Sequence, residues 1–181
     1  MRIRILLTLA FMLSSSVAFS LPSVGYIGLY SDPDRSFCEV HSSGGLSSFD
    51  LYVYCLPSEH GVMSVKFAIS YPANVTQSSL TVNPGIAYTQ GDLESGINVQ
   101  FQSCMYGWVW THHQTLYITD TDPDWIYIVA HPGEGSYYFT TCIDGYPSEG
   151  VMVVNHLAVN QPCVIATEET SWGAIKSLYK D

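Results

Sequence analysis

Three aspartates at alternate positions, Asp120, Asp122 and Asp124, form the pattern in this sequence that most resembles a metal site. Carboxylate oxygens at alternate positions are how a calcium-binding loop begins. The match to the EF-hand loop ends there, because Trp125 stands where that loop needs glycine and His131 where it needs glutamate. We therefore favour an acidic β-hairpin turn, with calcium as the alternative, and expect no other cofactor.

Two tryptophans in the stretch "MYGWVWTHH" (105–113) form a candidate binding surface. Trp108 and Trp110 would share one face of an extended strand. Exposed aromatic rings stack on sugars or contact apolar partners, and the alternative is that both rings plug the core. His112 and His113 are neighbours that would point to opposite faces of the strand, so one metal ion could not easily bind both.

Signatures of catalysis are missing from the sequence. It contains no G-x-S-x-G, no H-E-x-x-H and no glycine loop of the kind that binds phosphates. Sixteen carboxylates could include a glycosidase-like pair, but that chemistry needs only a suitable separation, so the sequence selects none. We expect a non-enzymatic binding or assembly module. The alternative is a small secreted hydrolase that acts on glycans, with Trp108 or Trp110 as a sugar platform.

Five cysteines suggest disulfide bonds, and they are Cys38, Cys55, Cys104, Cys142 and Cys163. Cysteines of an exported protein mostly pair, and the absence of a C-x-x-C motif disfavours a redox site or a zinc ribbon. Because five is odd, at least one thiol is left over or pairs with another molecule. The sequence does not fix the connectivity. We favour a bridge made early in the chain by Cys38 or Cys55, and a bridge between Cys142 and Cys163.

The N-terminus has the order of a secretory signal peptide over residues 1–20. Arg2 and Arg4 precede the apolar run "ILLTLAFML", which is too short to span a bilayer, and Ala18 and Ser20 supply small residues for cleavage. The protein is therefore expected to be exported, as a periplasmic, cell-surface or secreted protein.

The charge balance excludes several classes of partner. Without Arg2 and Arg4 the chain has four basic residues against sixteen acidic ones, a net charge of −12. Nucleic acids and anionic membranes attract basic proteins, so neither is an expected partner. A protein or a glycan at the cell envelope is the partner that we expect.

Alternating apolar and polar residues recur along residues 21–165. The segments "FDLYVYC" (49–55), "VMSVKFAISY" (62–71) and "GINVQFQSC" (96–104) each place apolar residues, many of them β-branched or aromatic, at alternate positions. That period is typical of half-buried strands. About eight such strands, separated by turns, predict an all-β domain built as an antiparallel two-sheet sandwich, Ig-like or jelly-roll-like.

The C-terminal stretch "TEETSWGAIKSLYKD" (167–181) predicts a short amphipathic helix within a tail of residues 166–181. Trp172, Ile175 and Tyr179 fall on one helical stripe. Because a helix of about ten residues is not stable alone, the tail must dock. It would dock on its own sandwich, or on a partner or sorting receptor.

Several segments resemble known proteins. "GYIGLYSD", "YVYCLPSEHG", "FAISYP", "GDLESGINVQF" and the terminal "TEETSWGAIKSLY" together resemble a group of uncharacterised exported bacterial proteins, a likeness that implies no particular activity. The run V-x-F-x-I-x-Y-P (65–72), followed by G-I-x-V-x-F (96–101), is similar to cohesin-like sandwiches. This second resemblance implies an interaction module.

Overall fold

The structure is a computed structural model that describes residues 24–163. The predicted signal peptide (1–20) and the tail with Trp172, Ile175 and Tyr179 lie outside these residues and stay predictions. The described part is all-β, which confirms the predicted fold class. Within it, no helix has the length and apolar character needed to cross a membrane.

Twelve strands make up this part of the chain. In chain order they are β1 (Gly25–Tyr30), β2 (Glu39–Val40), β3 (Ser47–Leu56), β4 (Val62–Ser70), β5 (Val75–Val82), β6 (Ile86–Asp92), β7 (Gly96–Met105), β8 (Val109–Ile118), β9 (Asp124–Val129), β10 (Tyr138–Thr140), β11 (Ser148–Asn155) and β12 (Leu157–Val159).

The strands form two packed layers. One layer has the order β5–β8–β3–β1–β11, in which β1 and β11 are parallel. The other layer has the order β6–β7–β4, and both β10 and β9 pair with the far edge of β4, one after the other. Strand β9 also pairs with β12, which pairs with β2. Pairing of β10 with β11 links the layers on one side. On the opposite side the sandwich is open, because β5 and β6 each pair with only one strand in the described part.

The predicted alternation explains which residues fill the space between the layers. On β3, Leu51 and Val53 are fully buried while Asp50 points outward, and on β4 the side chains of Phe67 and Ile69 are buried in the same way. A strand that hides every second side chain gives each layer one apolar face. The core is therefore the contact between those two faces.

The proline-bearing region 71–85 forms β5, an eight-residue edge strand paired with β8. Pro72 and Pro84 lie just outside that strand, so neither removes a donor from its ladder.

The disulfides also differ from the expected pairing. Cys38 bonds to Cys163 and Cys104 bonds to Cys142, so the favoured bridge between Cys142 and Cys163 was wrong. The sheet explains both bonds, because β12 pairs with β2 and thereby brings Cys163 to Cys38, while β10 and β7 flank β4. Cys55 is the free thiol, fully buried on the inner side of β3, and burial raises its pKa.

Candidate functional site

One outer surface of the sandwich, which we call the β4 face, is the outward side of β10, β4, β7 and β6. Residues in register on neighbouring strands point to the same side of a sheet. The registers therefore form two cross-strand rows, Thr140–Ser64–Gln100–Tyr88 and Tyr138–Lys66–Asn98–Gln90. Lys66 is the one charged residue in these rows, and its ammonium group is paired with the carboxylate of Glu134. The rows are thus electrically neutral.

Exposed apolar side chains accompany these rows. Tyr88 is 51% exposed within its row, and Tyr146 is 58% exposed in the turn after β10. Tyr146 lines a shallow depression of about 390 Å³ together with Ser64 and Gln100. A second depression of about 320 Å³ lies beside it, between Lys66, Glu134, Tyr138, Thr140 and Ser148. The β4 face therefore combines uncharged polar groups, exposed rings and two shallow recesses.

A disulfide holds one end of the β4 face. Cys104 lies near the end of β7 and Cys142 just beyond β10, so their bond crosses the start of β4. Gly61 makes room for it, since a Cβ atom there would lie 2.7 Å from Cys104 Sγ and 2.8 Å from a ring carbon of Tyr106. Gly61 also has a φ of +69°, a conformation that favours glycine. Tyr106, 60% exposed, thus lies over a rigid support.

The loop before β4 is fixed by a second cluster. The carboxylate of Glu149 accepts a hydrogen bond from the Ser58 hydroxyl over 2.6 Å and is also bonded to Nδ1 of His60. The His60 carbonyl accepts a 3.1 Å bond from the Cys142 backbone N–H. Hydrogen bonding to Glu149 raises the pKa of His60 above its ordinary value. Sequence reasoning missed this cluster because Glu149 is about ninety residues from its partners.

The outer surface of the opposite layer, which we call the β3 face, holds Trp108. Its ring makes edge contacts with Tyr30 and Tyr54, at centroid distances of 6.2 and 6.4 Å. The Arg35 guanidinium lies 5.0 Å from the centroids of both Tyr54 and Trp108. Tyr54 donates a 2.7 Å hydrogen bond to the Pro33 carbonyl and is only 6% exposed. Trp108 itself remains 39% exposed, at the edge of a cluster whose rings contact one another.

The other aromatic residues of this segment divide between the two sides of β8. Trp110 is in register with Tyr54 and half-buried on the β3 face. His113 stacks on Tyr52 at 4.4 Å, with its Nε2 2.9 Å from the Asp50 carboxylate. His112 is fully buried between the layers, so the two histidines do point to opposite faces, as the strand period predicted.

Asp120, Asp122 and Asp124 lie in and beside the connection between β8 and β9. The predicted β-hairpin turn was wrong, because β8 pairs with β3 and β5 whereas β9 pairs with β4 and β12. The Asp120 carboxylate accepts hydrogen bonds from the Asn74 amide and the Asp122 backbone N–H, at 2.7 and 3.0 Å. Asp124 accepts one from the backbone N–H of Trp125. Over residues 24–163, no three His, Cys, Asp or Glu side chains are grouped so that they could hold a metal ion. The structure therefore uses the carboxylates of Asp120 and Asp124 as local hydrogen-bond acceptors, and calcium binding stays a prediction.

The acidic loop next to Trp108 bears on the hydrolase alternative. The Asp32 carboxylate accepts hydrogen bonds from the backbone N–H groups of Asp34, Ser36 and Phe37, at 2.7 to 3.1 Å. It therefore shapes the loop that carries Arg35. These contacts of Asp32 are structural, and the hydrolase alternative stays a prediction.

Comparison with known proteins places the fold. No protein-family model matches the sequence, and the search of curated proteins found no match. Among solved structures, the chain is similar to a cohesin module from a Clostridium perfringens family 33 glycoside hydrolase, with a TM-score of 0.53, 10% identity and coverage of 78% of this chain and 100% of the other.

Two further cohesins give the same result. The seventh ScaB type I cohesin of Pseudobacteroides cellulosolvens has a TM-score of 0.52, 11% identity and coverage of 80% and 97%. A type I cohesin–dockerin complex from Clostridium thermocellum has a TM-score of 0.51, 10% identity and coverage of 78% and 97%. The chain therefore has a cohesin-like β-sandwich fold. The likeness to exported bacterial proteins stays a prediction.

Proposed function

We propose that this chain is an exported, non-enzymatic module that binds a partner protein through its β4 face. One of its structural neighbours is a cohesin in complex with a dockerin, so this fold does support protein–protein association. At 10% identity that neighbour supplies a precedent for the fold only. The choice of face depends on this chain's own residues.

The observation that carries the proposal is the neutrality of the β4 face in a strongly acidic protein. Sixteen acidic residues are distributed over the chain, yet the two rows hold one charge, which Glu134 neutralises. Depletion of charge together with exposed tyrosine is the compositional signature of interface cores. Tyr88 and Tyr146 supply the rings, and Gln100, between them, supplies an exposed amide.

Rigidity supports the same surface. The bond between Cys104 and Cys142 and the contacts of Glu149 fix one end of the face before any partner arrives. A surface held in its binding geometry loses less conformational entropy on association. The aromatic residues of the β3 face already contact one another, Arg35 and the Pro33 carbonyl. They therefore have less free surface for contact with a partner.

The two disulfide bonds fit an exported protein. Two disulfides persist in oxidising compartments such as the periplasm or the extracellular space. The signal peptide predicted over residues 1–20 agrees with such a location. The partner would then be another exported or envelope protein.

Site-specific photo-crosslinking tests the proposal even while the partner is unidentified. Benzoylphenylalanine replaces Tyr88 in one protein and Trp108 in another, and each is irradiated with exported proteins of the source cells. We expect a discrete adduct at position 88 that unlabelled wild-type protein suppresses and Gln100→Arg protein does not. Adducts only at position 108, or none that wild-type protein suppresses, would overturn the proposal.

A further inference from the structure

A buried histidine without a partner marks a second site, away from the β4 face. His112 is fully buried on β8, and neither ring nitrogen has a hydrogen-bond partner among the described residues. The ring is brought inward by a β-bulge, because Thr111 is an extra residue between the pairs Tyr54–Trp110 and Val53–His112. Bulges commonly re-aim a side chain next to a functional site.

His112 lines a cleft of about 410 Å³ on the open side of the sandwich. The cleft lies between the edge strands, with Leu80 and Val82 of β5 on one wall and Leu93 and Ile97, from the segment between β6 and β7 and from β7, on the other. Leu80 and Val82 remain 44% and 38% exposed there. The volume lies within the range of sites for small molecules.

The polar groups of the cleft define the chemistry it would accept. Burial lowers the pKa of His112 to about 4, so near neutral pH the ring has one N–H donor and one nitrogen acceptor. Asp92 and Glu94 line the cleft, and in the described part no lysine or arginine does. An anion would therefore meet carboxylates without a compensating cation.

We propose that this cleft binds a small neutral molecule with a short apolar body and a terminal hydroxyl or carboxamide group. The apolar body contacts Leu80, Val82 and Leu93, and the terminal group forms a hydrogen bond with one ring nitrogen of His112. A hydroxyl or a carboxamide has both a donor and an acceptor, so it pairs with that nitrogen whichever tautomer the ring adopts. Such a ligand gains most of its binding free energy from the hydrogen bond to this unpaired buried group.

The test uses the full chain and pentanamide as the probe, followed by NMR of the His112 ring and of the Val82 and Leu93 methyl groups. We expect saturable shifts with a Kd in the millimolar range, the order expected for so small a molecule. Pentanoate, an anion of the same chain length, should bind at least tenfold more weakly. Equal binding of pentanoate would overturn the proposal, as would shifts at His112 no larger than those at His113.

Three variants separate the site from general effects of mutation. His112→Phe keeps an aromatic ring but removes both nitrogens, and should weaken pentanamide binding at least tenfold. Leu80→Trp, at an exposed position, should block the cleft without disturbing the core. His113→Phe is the matched control on the opposite side of β8 and should bind as the wild type does. Pentanamide shifts that persist in Leu80→Trp would show that the probe binds elsewhere, which contradicts the proposal.

Discussion

The two outer faces of this sandwich both contain aromatic residues, but the rings have different surroundings. On the β3 face, Tyr54 is 6% exposed and lies under Arg35, with its hydroxyl bonded to a carbonyl. On the β4 face, Tyr88 and Tyr146 are more than half exposed and adjoin shallow recesses. Aromatic content alone therefore does not locate a binding surface, because the neighbours of a ring decide whether it is free to contact a partner.

Removal of the disulfides should give the largest losses of unfolding free energy. It also shows which bond stabilises only the fold and which one also organises the β4 face. The Cys38–Cys163 bond closes a separation of 125 residues and the Cys104–Cys142 bond one of 38, so chain entropy predicts losses of about 5 and about 4 kcal/mol. Denaturant unfolding of the two double serine variants measures both losses.

Binding should respond to only one of those bonds. Below their melting temperatures, the Cys104/Cys142 variant should bind the crosslinked partner more weakly, while the Cys38/Cys163 variant should bind normally. Equal binding by both variants would show that the bond across β4 does not organise the β4 face.

Truncation of a tyrosine should lower stability on the β3 face and partner binding on the β4 face. Tyr54→Ala removes a buried ring and its hydrogen bond and should cost about 3 kcal/mol of unfolding free energy. Tyr88→Ala, at an exposed position, should change stability by less than about 0.5 kcal/mol. Thermal unfolding and partner affinity, measured on both variants, would contradict this account if Tyr88→Ala proved the more destabilising.

The sequence predicted the sandwich because its alternation is local. Leu51, Val53, Phe67 and Ile69 are buried at the period-two positions that the strands required. The pairing of the cysteines was not predictable, since it depends on which strands become neighbours across separations of 38 and 125 residues.

The proposed binding surface was harder still to predict. Trp108 is conspicuous in the sequence as a large aromatic residue, whereas its contacts with Tyr30, Tyr54 and Arg35 come from distant segments. The rows of the β4 face contain ordinary residues such as Ser64 and Gln100, which become a surface only through sheet register. Neutrality of a face is a property of the assembled sheet, and no local motif encodes it.

Two histidines should give opposite pH dependences, one inside the sandwich and one beside the β4 face. Burial lowers the pKa of His112 to about 4, so its unfolded form binds the proton more readily between pH 6.5 and 4. Stability should be fully present above pH 6.5 and fall by about 3 kcal/mol at pH 4. The pKa of His60 is raised by Glu149, so its contribution is present below pH 6.5 and is lost as pH rises through the folded pKa.

Unfolding at a series of pH values, compared with His112→Phe and His60→Gln, isolates these contributions. The loss on the acid side should shrink in His112→Phe, and the loss on the alkaline side should disappear in His60→Gln. A variant whose unfolding free energy follows the wild-type pH dependence, on the acid side for His112→Phe or on the alkaline side for His60→Gln, would contradict the environment assigned to that histidine.

Removal of one cation from each face should give the smallest effects. Arg35 lies over two rings, so Arg35→Gln should cost about 1 kcal/mol of unfolding free energy. Lys66 makes a partly exposed ion pair with Glu134, and Lys66→Gln should cost no more than about 0.5 kcal/mol. Chemical unfolding at low and high salt checks this order, and a larger cost for Lys66→Gln would mean that its ion pair stabilises the fold.

We propose that a partner protein binds the β4 face and leaves the β3 face free. The most direct test is the Kd of the protein crosslinked at position 88, measured for wild type, Gln100→Arg and Ser48→Arg. Both variants add one positive charge at an exposed strand position, Gln100 on the β4 face and Ser48 on the outward side of β3. We expect Gln100→Arg to raise the Kd at least thirtyfold, and Ser48→Arg to leave it within a factor of two. Equal effects of the two variants, or a larger one from Ser48→Arg, would contradict the account.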